Sequence, residues 1–413
     1  MRIENLREGH SGDTHRLTAT VVWEERQRDP DEIFFEVEAD SSYLIPENMH
    51  PFIVTAVAPA LRHGERRIQV DGAVCPWLKQ NLYTAMAYLI DWYWYDWGRP
   101  ENDRWLPVIE ADDRPSDCQP GQPRRTAAFF SGGVDSLELI RRNRLKIPRD
   151  HPMSIRDAIF VHGFDIGAHP AVGEEQAYFN YVIETMKPVL DETGLNLIPA
   201  LTNVRWLEPN TDFWRTAYQG LAMAAIAHVL GGKVTDVLFA SSLDVPNLLP
   251  WGNHPELDPH GGGFDMRVHH MDERVSRVEK VKLIGDWPVA LQAVRVCFWR
   301  PEGRLNCGAC DKCMHTMLEL LCAGKLGDAQ TFPHDDLTPA MLKATDFDIR
   351  RDNIGDIYIS LLKELRRVGR TDLAAVLSRE MWKYRIKWAL NPRENVKRLD
   401  RTILGARIRD FVG

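Results

Sequence analysis

Two stretches of the sequence hold residues whose types and spacing can do chemistry. The first is FFSGGVDS, Phe129–Ser136, which belongs to the apolar run TAAFFS and leads into the helical pattern SLELIRRNRL. A polyphosphate needs several donors converging at short range. Gly132 and Gly133 let the backbone come close and turn its amides toward the anion, and the start of the following helix adds its positive end. Ser131 and Ser136 bring hydroxyl donors. Asp135 would repel a phosphate, so its expected role is to hold Mg²⁺ or a backbone turn. The stretch lacks the Gly-Lys-Ser/Thr ending of a Walker A loop. Gly-Gly by itself is most often a tight turn, but Ser, Asp and Ser at these spacings read better as a phosphate loop.

The second stretch is CFWRPEGRLNCGACDKC, which brings Cys297, Cys307, Cys310 and Cys313 together. Four thiolates suit Zn²⁺ held tetrahedrally, and a closed set of four marks a structural ion. Gly308 permits the tight turn between ligands, and Lys312 can offset the anionic complex. An iron–sulfur cluster is the competing reading, but its usual spacing would continue past Cys313, where Thr316 and Met317 stand. The upstream fourth ligand favours zinc.

Arg215, in NTDFWRTAYQG ahead of a helical run, is a further candidate phosphate partner, although such an arginine is more commonly just exposed. The segment Asn253–Glu273 gathers four histidines with Asp258, Asp265 and Asp272. No metalloprotease-like spacing is present, so it reads as a polar, glycine-rich loop able to close over substrate rather than as a second metal site.

The elements that must position these residues change character along the chain. HRLTATVVWE, EIFFEVEA and RRIQVDG read as strands, and NLYTAMAYLIDWYWYDWG as an aromatic helix ending at Gly98. Residues 1–120 are expected to form an accessory α+β domain, with the Pro-, Asp- and Gly-rich Ala111–Arg125 as its linker. Residues 125–320 then alternate strands and helices, which predicts an α/β, doubly wound, mainly parallel sheet carrying the phosphate loop and the cysteines. Residues 325–413 read as a helical, basic C-terminal extension. There Trp382, Tyr384, Ile386 and Trp388 are expected to pack inward with the basic residues solvated, in preference to an RNA-binding surface.

SGGVDS resembles the signature of the ATP-pyrophosphatase (PP-loop) enzymes. A phosphate loop followed by Cys and then Cys-Gly-x-Cys-x-x-Cys resembles, within them, the 7-cyano-7-deazaguanine synthases. The resemblance covers about Thr126–Leu320. It implies an adenine nucleotide α-hydrolase-like fold, with ATP and Mg²⁺ at Ser131–Ser136 and an adenine pocket edged by Val161, His162 and Gly163. It also implies cleavage to AMP and pyrophosphate while a deazaguanine-like carboxylate is activated for ammonia or another amine. Longer relatives belong to anti-phage defence operons, which implies operon-encoded protein partners. The chain departs from the pattern at LDVPNLLPWGN, at Arg295-Val296-Cys297 and after Cys313. The activation chemistry therefore transfers further than the substrate. Two other classes compete: a tRNA-modifying relative, and a non-enzymatic nucleotide sensor.

Bulk properties frame these readings. With 413 residues, 44% hydrophobic and 27% charged, the chain has an ordinary globular composition and a net charge of -8, which disfavours a general nucleic-acid coat. No apolar run reaches the length of a membrane span, and the charged opening stretch lacks a secretory signal, so a cytoplasmic protein is expected. Seven cysteines, four of them clustered, favour metal ligation over disulfides.

Overall fold

The computed structural model describes residues 1–98, 105–114, 124–167, 175–299, 301–349 and 354–400. Its elements run β1 (Arg2–Ser11), β2 (Thr14–Val22), β3 (Asp31–Glu38), α1 (His50–His63), β4 (Arg67–Val74), α2 (Pro76–Tyr93) and β5 (Val108–Asp113). The α/β half follows with β6 (Thr126–Phe129), α3 (Val134–Lys146), β7 (Ile155–His162), α4 (Gln176–Thr193), β8 (Asn196–Thr202), α5 (Thr211–Phe213), α6 (Gln219–Val229), β9 (Asp236–Ala240) and β10 (Arg267–Met271). Then come α7 (Arg277–Gly285), α8 (Pro288–Leu291), α9 (Asp311–Cys322), α10 (Pro339–Ala344), α11 (Ser360–Arg367), α12 (Thr371–Ala389) and α13 (Pro392–Leu399).

All ten strands form one sheet in the order β10-β9-β6-β7-β8-β3-β2-β1-β4-β5. The five strands from β10 to β8 are parallel, as are β1, β4 and β5, while β8–β3, β3–β2 and β2–β1 are antiparallel. The described residues of the first 114 therefore do not stand apart. β3 pairs with β8 (Phe35 opposite Thr202), and α1 packs on α6, so the two halves share a sheet and a core. That core fills one face of the sheet; a second core, built by α3, α4, α7, α9, α11 and α12, covers the other. β7 is buried along almost its whole length, as its apolar run IRDAIFVH requires of a strand covered on both faces.

Among the elements that escape a periodicity reading, α1, β10 and β5 do so for physical reasons. α1 is buried from His50 through Leu61, so it shows no polar stripe, and Pro51 in its first turn and Pro59 inside it look like breakers. It ends on Gly64, whose left-handed φ of 77° lets its N–H reach Ala60 and Leu61. β10 lies within Asn253–Glu273, correcting the expectation that this segment is all loop. β5 takes up Ala111–Asp113, the start of the expected linker; residues 115–123 of that linker, with Cys118, lie outside the described residues.

In the C-terminal region, Leu373, Ala374, Val376, Leu377 and Met381 bury the first half of α12. The expected inward packing stops there. Trp382 is 63% and Ile386 50% exposed, and only Tyr384 and Trp388 are half-buried. Among the described residues, no helix is long and apolar enough to cross a membrane.

Candidate active site and metal centre

The strand order places the phosphate loop. From β6 the chain steps to β7 and β8 on one side, and then returns to β9 and β10 on the other. The loops after β6 and β9 therefore diverge at the carboxyl edge. A crevice of this kind is where open parallel sheets bind ligands. Residues 130–133 lie there, and the bend is made by Gly132 at φ +72°. A Cβ at Gly132 would meet only the mobile end of Met186, at 2.2 Å, so it is the left-handed φ that favours glycine here. Gly133 caps α3 in extended geometry. The Ser131 hydroxyl accepts the Gly133 N–H at 3.2 Å, and the Ser136 hydroxyl donates to the Gly133 carbonyl at 3.0 Å. Both predicted serines thus shape the bend's backbone.

A ring of cations surrounds the bend. Lys280, 1% exposed on α7, donates to Asp135 Oδ1 at 3.1 Å and also to the Ser241 carbonyl at the end of β9. One ammonium therefore ties the two sides of the crevice together. Arg277 lies 3.8 Å from Asp135 and 3.3 Å from Glu319. Arg295 gives its N–H to the Gly132 carbonyl at 2.8 Å and its Nε to the Ser131 carbonyl at 3.3 Å, and it stands 3.8 Å from Asp165. Lys312 completes the ring. Desolvation in the cleft lowers the pKa of its ammonium; Asp165 and Asp135 oppose that shift, and Arg277 and Arg295 add to it. Asp135 is accordingly an ion-pair partner that organises the first turn of α3. A Mg²⁺ held by Asp135 would share the carboxylate with Lys280, which takes Oδ1.

Behind Asp135, the fully buried Glu138 shares Arg142 with Asp272. Burial, reinforced by the Asp272 carboxylate, pushes the Glu138 carboxyl up to about 7. Asp272, also buried, is raised for the same leading reason.

The four cysteines meet as the spacing predicted. Their sulfurs lie within 4.8 Å of one another, with Cys307 to Cys313 at 3.8 Å and Cys297 to Cys310 at 3.9 Å. A tetrahedron of thiolates at about 2.3 Å from Zn²⁺ has edges of roughly 3.8 Å, so the donor set fits that ion. Gly308 turns the ligand loop at φ +73°, and the N–H groups of Ala309 and Cys310 point at Cys307 Sγ. Asn306, fully buried, accepts from the N–H groups of Val296 and Cys297 and donates to the Val294 carbonyl. The knuckle is therefore fastened to the strand of chain that carries Arg295 against the phosphate loop. The cysteine cluster is thereby joined to the wall of the crevice.

The remaining predicted residues lie differently. Val161 and His162 are buried; the His162 ring packs edge-on to Phe179 and beneath Gly167, where a Cβ would meet it at 2.0 Å. Only backbone is left there to edge an adenine. Gly163, at φ +110°, brings the chain against the Thr202 carbonyl. Arg215 pairs with Asp212 at 3.2 Å and lies over the Trp251 ring, and does not join the ring of cations described above. Arg277 and Lys280 escaped sequence reading because their helix has nine residues, although Ser276 and Glu279 form the capping box that announces it. Asp165 sat unnoticed within FVHGFDIG.

Comparison with known proteins adds no relative: no family model, no curated protein and no solved structure matches the chain.

Proposed function

We propose that the chain is an ATP-dependent activating enzyme of the ATP-pyrophosphatase kind, with chemistry similar to that of the 7-cyano-7-deazaguanine synthases. One observation carries this reading: a serine–glycine bend between strand and helix, at the switch point of a parallel sheet, ringed by Arg277, Lys280, Arg295 and Lys312. The phosphate tail of ATP lies in the bend, where loop amides and the start of α3 donate to it. A substrate carboxylate oxygen attacks the α-phosphorus, the bond from that phosphorus to the bridging oxygen breaks, and pyrophosphate leaves with its charge met by the surrounding cations. Ammonia or an amine then attacks the acyl carbon and loses a proton, and AMP departs with the former carboxylate oxygen. Rate acceleration comes from positioning and charge neutralisation, with no protein nucleophile. Mg²⁺ enters as the counter-ion of the nucleotide, and Zn²⁺ as the brace of the knuckle. We take the acceptor to be a deazaguanine-like acid in a cytoplasmic anti-phage system with operon-encoded partners.

The test is nucleotide turnover with and without 7-carboxy-7-deazaguanine. AMP and pyrophosphate should form together and depend on the acid; ADP and phosphate, or no turnover with any carboxylate, would sink the reading. A second reading is favoured by the exposed Trp382 and Ile386 among Arg379, Lys383, Arg385 and Lys387, a surface able to hold RNA. It predicts salt-sensitive retention of tRNA, and failure to bind tRNA at low salt removes it.

A further inference from the structure

The metal knuckle exposes two large aromatic rings on a turn that its own ligands hold in place. Phe298 and Trp299 follow Cys297 directly, and the Trp299 N–H donates to Cys297 Sγ at 3.3 Å. Phe298 is 53% and Trp299 77% exposed, and most aromatic residues of the chain are far better covered. Leaving such rings in water on a fixed turn forgoes apolar burial, and contiguous exposed aromatics mark binding surfaces. Their position is specific. Lys312 Nζ sits 3.6 Å from the centre of the Phe298 ring, and the same ammonium lies in electrostatic range of Asp135, Asp165, Arg277 and Arg295, the charges that frame the phosphate crevice. The Phe298 ring and the ammonium over it therefore lie within electrostatic range of the charges that frame the crevice, with the exposed Trp299 next in the chain.

We propose that Phe298 and Trp299, with Lys312, form the acceptor subsite: a planar aromatic ring stacks on the shelf and its carboxylate takes Lys312 as counter-ion, directed toward the phosphate loop. This deepens the ATP-activation reading and rests on it for the role of the acid. Charge complementarity favours an aromatic acid over the adenine of ATP as occupant, because Lys312 answers a carboxylate and adenine is neutral. A saturated ring of the same size lacks the π-face the shelf offers.

The test is calorimetric titration of the zinc-loaded full chain with four probes: 7-carboxy-7-deazaguanine, 7-deazaguanine, cyclohexanecarboxylate and α,β-methylene-ATP. Wild type should bind the aromatic acid and discriminate against the saturated one. Phe298→Ala and Trp299→Ala should each weaken the aromatic acid about five- to hundredfold, the range seen when a base loses a stacking partner. Lys312→Met should weaken it too, while leaving the carboxyl-free 7-deazaguanine unaffected. Each variant should keep its zinc content and melting temperature, and in Phe298→Ala and Trp299→Ala the affinity for α,β-methylene-ATP should stay within about twofold. Unchanged affinity for the acid in the variants, no binding by wild type, or a loss confined to the ATP analogue would overturn the proposal, the last by making the shelf an adenine site. Shelf-dependent binding without AMP formation would instead refute the activation reading and leave the subsite standing. AMP formation with an unaltered KM for the acid in all three variants would do the reverse.

Discussion

The two edges of the parallel sheet use the same residue types to opposite ends. At the amino edge, buried Asp236 takes Arg124 at 2.5 Å and 3.0 Å, Arg267 at 3.0 Å and 3.1 Å, His269 at 2.8 Å and the Thr235 hydroxyl. Asp157, equally buried, takes both arms of Arg125 at 2.6 Å, together with Tyr43 and Asn196. These forks close upon themselves and fasten strand starts to one another. At the carboxyl edge, among the described residues, Arg277 to Asp135 and Arg295 to Asp165 are both 3.8 Å, while Lys280 to Asp135 at 3.1 Å and Arg277 to Glu319 at 3.3 Å are closer. Arginine forks on buried carboxylates hold a fold together, whereas several cations converging on a glycine bend make a positive field suited to an anion.

The largest expected effect breaks this contrast at the carboxyl edge. Lys280→Met keeps the volume and removes the charge, and should lower pyrophosphate release about 10²–10³-fold, the usual cost of deleting one preorganised charge-stabilising donor. Because the ammonium also joins Asp135 to the Ser241 carbonyl, the melting temperature should fall as well, but turnover per folded molecule should still be lost; turnover per folded molecule at the wild-type level would mean that Lys280 is only a strut like those of the other edge. The mirror experiment is Asp236→Ala. Stranding Arg124, Arg267 and His269 should destabilise the chain by about 3 kcal/mol in denaturant unfolding, while turnover per folded molecule stays at the wild-type level. A selective loss of turnover would erase the distinction between the edges.

A smaller effect sharpens the boundary between them. Glu138 stands behind the crevice with its carboxyl raised from 4.5 to about 7. Between those values the folded chain keeps a proton that the unfolded chain has released, so stability falls as pH rises through the window and the penalty is complete above it. Glu138→Gln should therefore gain on wild type by about 2–3 kcal/mol between pH 4.5 and 8. A flat difference across that range would show Glu138 to be ionised throughout, held by Arg142.

The parts legible in sequence were those whose chemistry is local. The glycine bend and the cysteines needed only near neighbours to declare themselves, and the alternating second half announced a parallel sheet. The parts that hid depend on tertiary context. Lys280 reads as a surface lysine on a short helix until β9 and α3 close around it. Arg295 reads as a departure from a family pattern until its backbone is seen against Gly132. His162, offered as a pocket edge, is drawn under Gly167 instead. The antiparallel bridge from β3 to β8, which merges the described residues of the first 114 into the main sheet, involves pairings that no window of neighbouring residues contains.

Oxygen tracing tests the central claim most directly. The chain would turn over ATP with an amine and an acid whose carboxylate carries ¹⁸O, and the nucleotide and phosphate products would be weighed by mass spectrometry. Attack at the α-phosphorus predicts one labelled oxygen in each AMP and none in pyrophosphate. Label in inorganic phosphate, or AMP formed without label, would contradict it.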